Sequence, residues 1–148
     1  MKHCYDYPRP AVTADCLIFR QQKTIWEVLL IERLHEPFKG CWAFPGGFIN
    51  MDETIEDAAA RELFEETGLQ HVRLEQFRTF SKPDRDPRGR TISVVFTGII
   101  TSDDIVIKAG DDAASAKWFP LSAIPTLAFD HAEMFDLAIA HLKQKGAW

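Results

Sequence analysis

Glu62, Glu65 and Glu66 are the residues of this 148-residue chain whose types and spacing point most directly to chemistry. On a helix, Glu62 and Glu66 share one face, with Glu65 beside them. Like charges at that spacing repel one another, and by more in a cleft than in open water. All three fall in the last two turns of the helix expected there, where the helix dipole disfavours negative charge. Folding alone gives no reason for such a cluster. A divalent cation reverses the sign of each of these terms. Carboxylates with water suit Mg²⁺, with Mn²⁺ as a second choice, and the stretch contains no His or Cys. The segment from Gly47 to Leu69 holds seven acids and one base, so it accounts for −6 of a chain whose net charge is −5. The acidity is therefore local, which suggests a cation site; a solvated helix face is the plainer alternative.

The elements that must hold these side chains are legible from the surrounding pattern. Thr54 to Thr67 reads as a helix, with Thr54 and Asp57 as a variant capping box and Gly68 as a Schellman stop. Pro45-Gly46-Gly47 leads into it, and glycine there lets backbone approach closely or turns a carbonyl toward a metal. Arg61 is placed to hold a carboxylate such as Glu53 through paired hydrogen bonds. Ala11 to Phe19 and Ile25 to Ile31 read as a strand hairpin, and Trp42 to Phe48 as an interrupted extended segment. Val72 to Phe80 and Thr91 to Ile100 read as strands, the second a candidate central strand, and Ala116 to Phe119 as a short one. Asp130 to Lys143 reads as a second helix, with Phe135, Ala138, Ile139 and Leu142 on its apolar face and Asp130 and Glu133 marking its start. This order predicts an α/β fold with helices on both sides of a mixed sheet, in one domain over residues 1–148.

Gly47, Glu53 and the run Arg61-Glu62-Leu63-Phe64-Glu65-Glu66-Thr67-Gly68-Leu69 together resemble a complete Nudix box. That resemblance implies an α/β/α sandwich and hydrolysis of a nucleoside diphosphate linked to another group. It implies that Glu62, Glu65 and Glu66 bind metal, with the Gly47 carbonyl as a further ligand, and that Glu53 and Arg61 support them. The general base stays open among the glutamates. Two flanking segments, Tyr7 to Thr13 and Pro83 to Phe96, resemble the branch of ADP-ribose pyrophosphatases and related ADP-ribose-sensing regulators. The stretches Glu36 to Gly40 and Asp111-Asp112-Ala113 before Trp118-Phe119 resemble it as well. The resemblance implies ADP-ribose as substrate, AMP and ribose 5-phosphate as products, and a homodimer, with Arg9 reaching across it.

The residues near the box fit an anionic ligand. Arg78 to Arg90 holds five bases and two acids, a local +3 beside the −6 segment. Arg85, Arg88 and Arg90 are therefore candidate phosphate ligands; a solvated turn with internal ion pairs is the alternative. An adenine needs a flat apolar face, for which Phe38, Trp42, Phe80 and Phe96 are candidates, Phe38 first. Asp111 or Asp112 is read as structural, with an extra metal ligand as the alternative. The five histidines are scattered, with none at a metal-ligand spacing, and are assigned no role. The three cysteines show no CxxC spacing, and Cys16 and Cys41 read as small buried hydrophobes.

Composition narrows the function classes. The chain has 46% hydrophobic and 26% charged residues, near globular averages, with no apolar run of transmembrane length and no apolar N-terminal leader. It reads as a cytoplasmic enzyme with a small-molecule nucleotide substrate and neither membrane nor nucleic acid as partner. A hydrolase of nucleoside triphosphates or other sugar nucleotides is one alternative. The ADP-ribose-sensing domain of a transcriptional regulator is another, disfavoured by the acidic charge, the intact glutamate set and the lack of room after the last helix for a DNA-binding domain.

Overall fold

Residues Thr13 to Phe19 are buried without interruption along the first strand, so both faces of that strand must be covered. A computed structural model, which describes residues 2–101, 107–110 and 113–147, shows how. The strands are β1 (Ala11–Gln22), β2 (Ile25–Arg33), β3 (Trp42–Ala43), β4 (Gly46–Phe48), β5 (Glu75–Phe80), β6 (Thr91–Ile100) and β7 (Ala113–Pro120). The helices are α1 (Ile55–Thr67) and α2 (His131–Gln144). Side chains alternate across β1 with period two. Ala14, Cys16 and Ile18 pack with Ala58, Ala59 and Leu63 of α1. Leu17 and Phe19 pack on the other face with Met134, Ala138 and Leu142 of α2. The result is the α/β/α sandwich expected from the sequence.

The sheet is mixed and runs in the order β3-β2-β1-β6-β5, with β4 added to β1 and β7 to β2. Strands β1 and β6 are parallel from Ala11 opposite Thr91 to Arg20 opposite Ile100; the other pairings are antiparallel. Strand β6 is internal, as its apolar sequence suggests. The hairpin strands run further than expected, leaving only a tight turn around Lys23, whose φ is 57°. Strand β5 begins later than expected: His71 turns with a φ of 59°, and Val72 and Leu74 pack onto the α1 core instead of pairing. Strand β7 is longer because it pairs with β2 from Glu27 to Arg33.

Both ends of α1 are fixed locally. Thr54 Oγ1 accepts from the Asp57 amide at 3.1 Å. Gly68 adopts the left-handed conformation, and its N–H bonds to the Phe64 carbonyl at 2.8 Å. The Leu69 amide goes to Thr67 Oγ1, so the stop is the simpler left-handed cap and not the Schellman motif expected. Replacing Thr54 with Ala removes the N-cap acceptor and is expected to cost about 1 kcal/mol. A thermal melt reads this as a drop of a few degrees in Tm.

Candidate functional site

Strand β4 lies beside β1, with Gly47 opposite Ala14 and Gly46 opposite Asp15. This register brings the two glycines against the C-terminal half of α1. The Gly46 N–H donates to Glu66 Oε1 at 2.7 Å, and the Glu66 side chain is buried. A Cβ on Gly47 would stand 2.6 Å from the Glu62 carboxylate, so glycine is what lets that carboxylate lie against the backbone. Gly47→Ala is therefore expected to push the flexible Glu62 side chain aside. Turnover should fall about 10- to 100-fold, the range for disturbing the supports of a metal site, while the unfolding midpoint stays near wild type. Steady-state kinetics beside a thermal melt checks both halves.

Arg61 is the hub of the cluster. Its Nε and Nη2 donate to the two oxygens of Glu53 at 2.9 and 2.6 Å, the paired geometry expected. Its Nη1 also reaches Glu62 Oε1 at 2.8 Å and Glu65 Oε2 at 3.1 Å, and its Nη2 reaches the Phe48 carbonyl. The bonds from Arg61 hold the Glu53 carboxyl below its ordinary range, and the Arg61 guanidinium is raised by the same pairing. The sequence suggested that Arg61 holds a carboxylate such as Glu53; the structure gives it three glutamates. With Glu62 and Glu65 turned to Arg61, no group of three His, Cys, Asp or Glu side chains among the described residues forms a ready metal cluster. The donor set still fits a hard divalent cation. The expected ligands are all oxygen, as such a cation requires, and the glycine leaves room where a Cβ would fill the cradle.

Opposite the glutamates stand two arginines. Arg33 at the end of β2 and Arg88 in the loop before β6 line one cleft with Gly46, Gly47, Glu62 and Glu66. Both guanidiniums sit on the Phe129 ring, at 4.9 and 5.0 Å from its centroid, and Arg88 also lies 4.8 Å from the centroid of Phe48. Arg88 is paired with Asp86. Burial alone would raise the Asp86 carboxyl, but its bonds from Arg88 bring it below the ordinary value. Arg33 spends its Nε on the Pro37 carbonyl and has no carboxylate partner in an ion pair among the described residues. Burial, followed by repulsion from Arg88, lowers its pKa. Two cations gathered at one aromatic ring repel each other and are stabilised by an anion placed between them.

A Nudix domain profile matches residues 9–138. The chain belongs to the Nudix family. An ADP-ribose pyrophosphatase of Methanocaldococcus jannaschii is 46% identical over 128 residues, covering 86% of this chain and 72% of that protein. An ADPR responsive transcriptional repressor, NtrR, of Acinetobacter baylyi is 33% identical over 144 residues; this chain spans 57% of its length. The Nudix domain of Shewanella oneidensis NrtR, solved in complex with ADP ribose, superposes with a TM-score of 0.86 at 31% identity, covering 93% of this chain and 94% of that one. The sequence resemblance and the α/β/α expectation both hold.

Within this Nudix domain the other suggested residues scatter. Arg85 has a side chain only 3% exposed that bonds to both Asp130 oxygens, at 2.8 and 2.7 Å, and it lines a pocket together with Gly46, Gly47, Glu66 and Arg88. Asp130 marks the start of α2 as expected, standing at its N-cap, but makes no side-chain cap bond there. Arg90 bonds to the Ser81 carbonyl and does not line the cleft. Phe38 is partly exposed and packs edge-on against Phe129. Phe80 and Phe96 are buried in the core, and Trp42 packs on Phe119. Arg9 lies over Tyr5 of its own chain. Asp111 and Asp112 lie outside the described residues. Sequence reasoning missed Arg33 and Phe129, which come from distant segments and carry no local motif. It also missed His131, although its spacing from Met134, Ala138 and Leu142 puts it on the buried face of α2.

Proposed function

We propose that this Nudix pyrophosphohydrolase cleaves ADP-ribose to AMP and ribose 5-phosphate with Mg²⁺ as its cofactor. The observation that carries the reading is the cleft itself, which sets the Arg33–Arg88 pair against Glu62, Glu66 and the two glycines. A diphosphate fits such a cleft, with guanidiniums on one side and a carboxylate-held cation on the other. Similarity to an ADP-ribose pyrophosphatase and to a domain crystallised with ADP ribose supports this choice among nucleotide substrates.

Glu62, Glu65, Glu66 and the Gly47 carbonyl would hold the metal, which when bound supplies charge neutralisation at the phosphate oxygens and a more acidic water. The chain's own residues do the rest. Arg33 and Arg88 bind and orient the diphosphate, and their positive charge favours the more anionic transition state. Phe129 keeps both guanidiniums in place through their stacked faces. Arg61 and Glu53 steady the α1 carboxylates, and Gly46 N–H fixes the Glu66 side chain. A glutamate of the box takes the proton from the attacking water.

A substrate panel with Mg²⁺ tests the choice. ADP-ribose is expected to show the highest kcat/KM among ADP-ribose, nucleoside triphosphates and other sugar nucleotides. Efficient turnover of a triphosphate with no product from ADP-ribose contradicts the proposal. Tight binding of ADP-ribose without turnover favours the sensing role suggested by similarity to the NtrR repressor.

A further inference from the structure

We propose that His131 is a positioning residue that holds the Phe44 amide, and through it the turn that delivers Gly46 to Glu66; the inference rests on the reading of Glu66 as part of the catalytic centre. Pro45 interrupts the strand between β3 and β4, and three backbone groups here have partners outside a regular ladder. The Phe44 N–H donates to His131 Nδ1 at 3.1 Å. The Pro45 carbonyl accepts from Cys16 N–H at 2.8 Å, and the Gly46 N–H donates to Glu66 Oε1 at 2.7 Å. Phe44 and His131 are 2% and 3% exposed, so water cannot substitute for the imidazole. The His131 ring also stacks on Phe44, with centroids 5.2 Å apart. The first turn of α2 therefore sets the position of the glycine strand two residues away.

The same helix start steadies the opposite wall. Asp130, next in sequence, holds Arg85, and Arg85 lies in the loop that presents Arg88. Adjacent residues on α2 thus fix both the carboxylate side and the arginine side of the cleft.

Only the neutral imidazole offers Nδ1 as an acceptor; the protonated ring donates from both nitrogens. The charged groups facing it are Asp15 of β1, Asp130 beside it, Arg85 of the loop and Arg33 of β2. Burial, the largest influence, keeps the ring below its ordinary pKa, so the acceptor is present at neutral pH and lost in acid. Because the folded pKa lies below the unfolded one, this contribution to stability is present above about 6.5 and declines as pH falls toward the folded value.

The test compares His131→Leu and His131→Asn, whose side-chain carbonyl can still accept a hydrogen bond. Amide exchange at Phe44 and Gly46 is followed by NMR, and kcat and KM are measured on ADP-ribose with Mg²⁺. His131→Leu is expected to speed Phe44 exchange and to lower kcat about 100-fold, the scale of a roughly 1 Å misplacement, with KM little changed. His131→Asn should restore Phe44 protection and most of the turnover. It should also remove the loss of Phe44 protection expected of the wild type in acid. Wild-type exchange and kcat in His131→Leu would overturn the proposal, as would an Asn variant that protects Phe44 yet remains as slow as Leu. If His131→Leu does not fold, His131→Asn decides: Phe44 protection retained with kcat about 100-fold below wild type overturns the proposal. If the wild type does not cleave ADP-ribose, the substrate reading fails, and the Phe44 and Gly46 amides still decide the role of His131.

Discussion

Glu66→Gln is expected to lower turnover by at least about 100-fold, the lower bound for losing an acid–base group, without unfolding the protein. Gln keeps the length of the side chain and a carbonyl oxygen that can accept from Gly46 N–H, so the 2.7 Å contact to the glycine strand survives. What disappears is one negative charge on a buried side chain, together with its capacity to take a proton or bind a hard cation. Circular dichroism and a thermal melt should show a folded variant close to wild type. Added metal is expected to protect the wild type from unfolding more than the variant, because binding to the folded state alone stabilises it. Near wild-type turnover in Glu66→Gln would remove this residue from the catalytic centre.

The largest stability effect is expected from Arg85→Ala, at about 3–5 kcal/mol, the cost of leaving one partner of a buried ion pair uncompensated. Arg85 is almost fully enclosed, and Asp130 is itself only 17% exposed. Burial disfavours the Arg85 cation, while the bonds and charge of Asp130 more than offset this and leave the guanidinium raised. Removing the arginine leaves a carboxylate at the start of α2 with no cap bond of its own. Urea unfolding measures the loss. Arg88→Ala is the natural contrast, since Arg88 is 37% exposed and lines the cleft. It is expected to raise KM and also to lower stability, because it leaves the buried Asp86 carboxylate without its partner. A stable Arg85→Ala with a raised KM would reverse these assignments.

These two arginines also show where sequence reasoning stops. Both lie in one Pro- and Asp-rich stretch, three residues apart, and nothing local distinguishes them. The distinction comes from Asp130, which is 45 positions away. Arg33 is hidden for the same reason: it ends an unremarkable apolar strand, and its role depends on Phe129 and Arg88 arriving from elsewhere. His131 was readable in part, since it continues the buried stripe of α2, but its partner Phe44 was not. The box behaved differently because its interactions are short in sequence. Thr54 caps its own helix, Gly68 ends it, and Glu53 meets Arg61 eight positions on. Strand β6 was legible from end to end because its apolar run is bounded by polar loop residues. Strand β5 was not, because Val72 and Leu74 are apolar for a reason other than pairing: they cover α1.

The most direct test of the central claim is ³¹P NMR of ADP-ribose incubated with the wild-type protein and Mg²⁺, with Glu66→Gln alongside. The account predicts that the pyrophosphate signals disappear only with the wild type, replaced by the monoester signals of AMP and ribose 5-phosphate. Unchanged pyrophosphate signals with the wild type, or equal conversion by the variant, would contradict it.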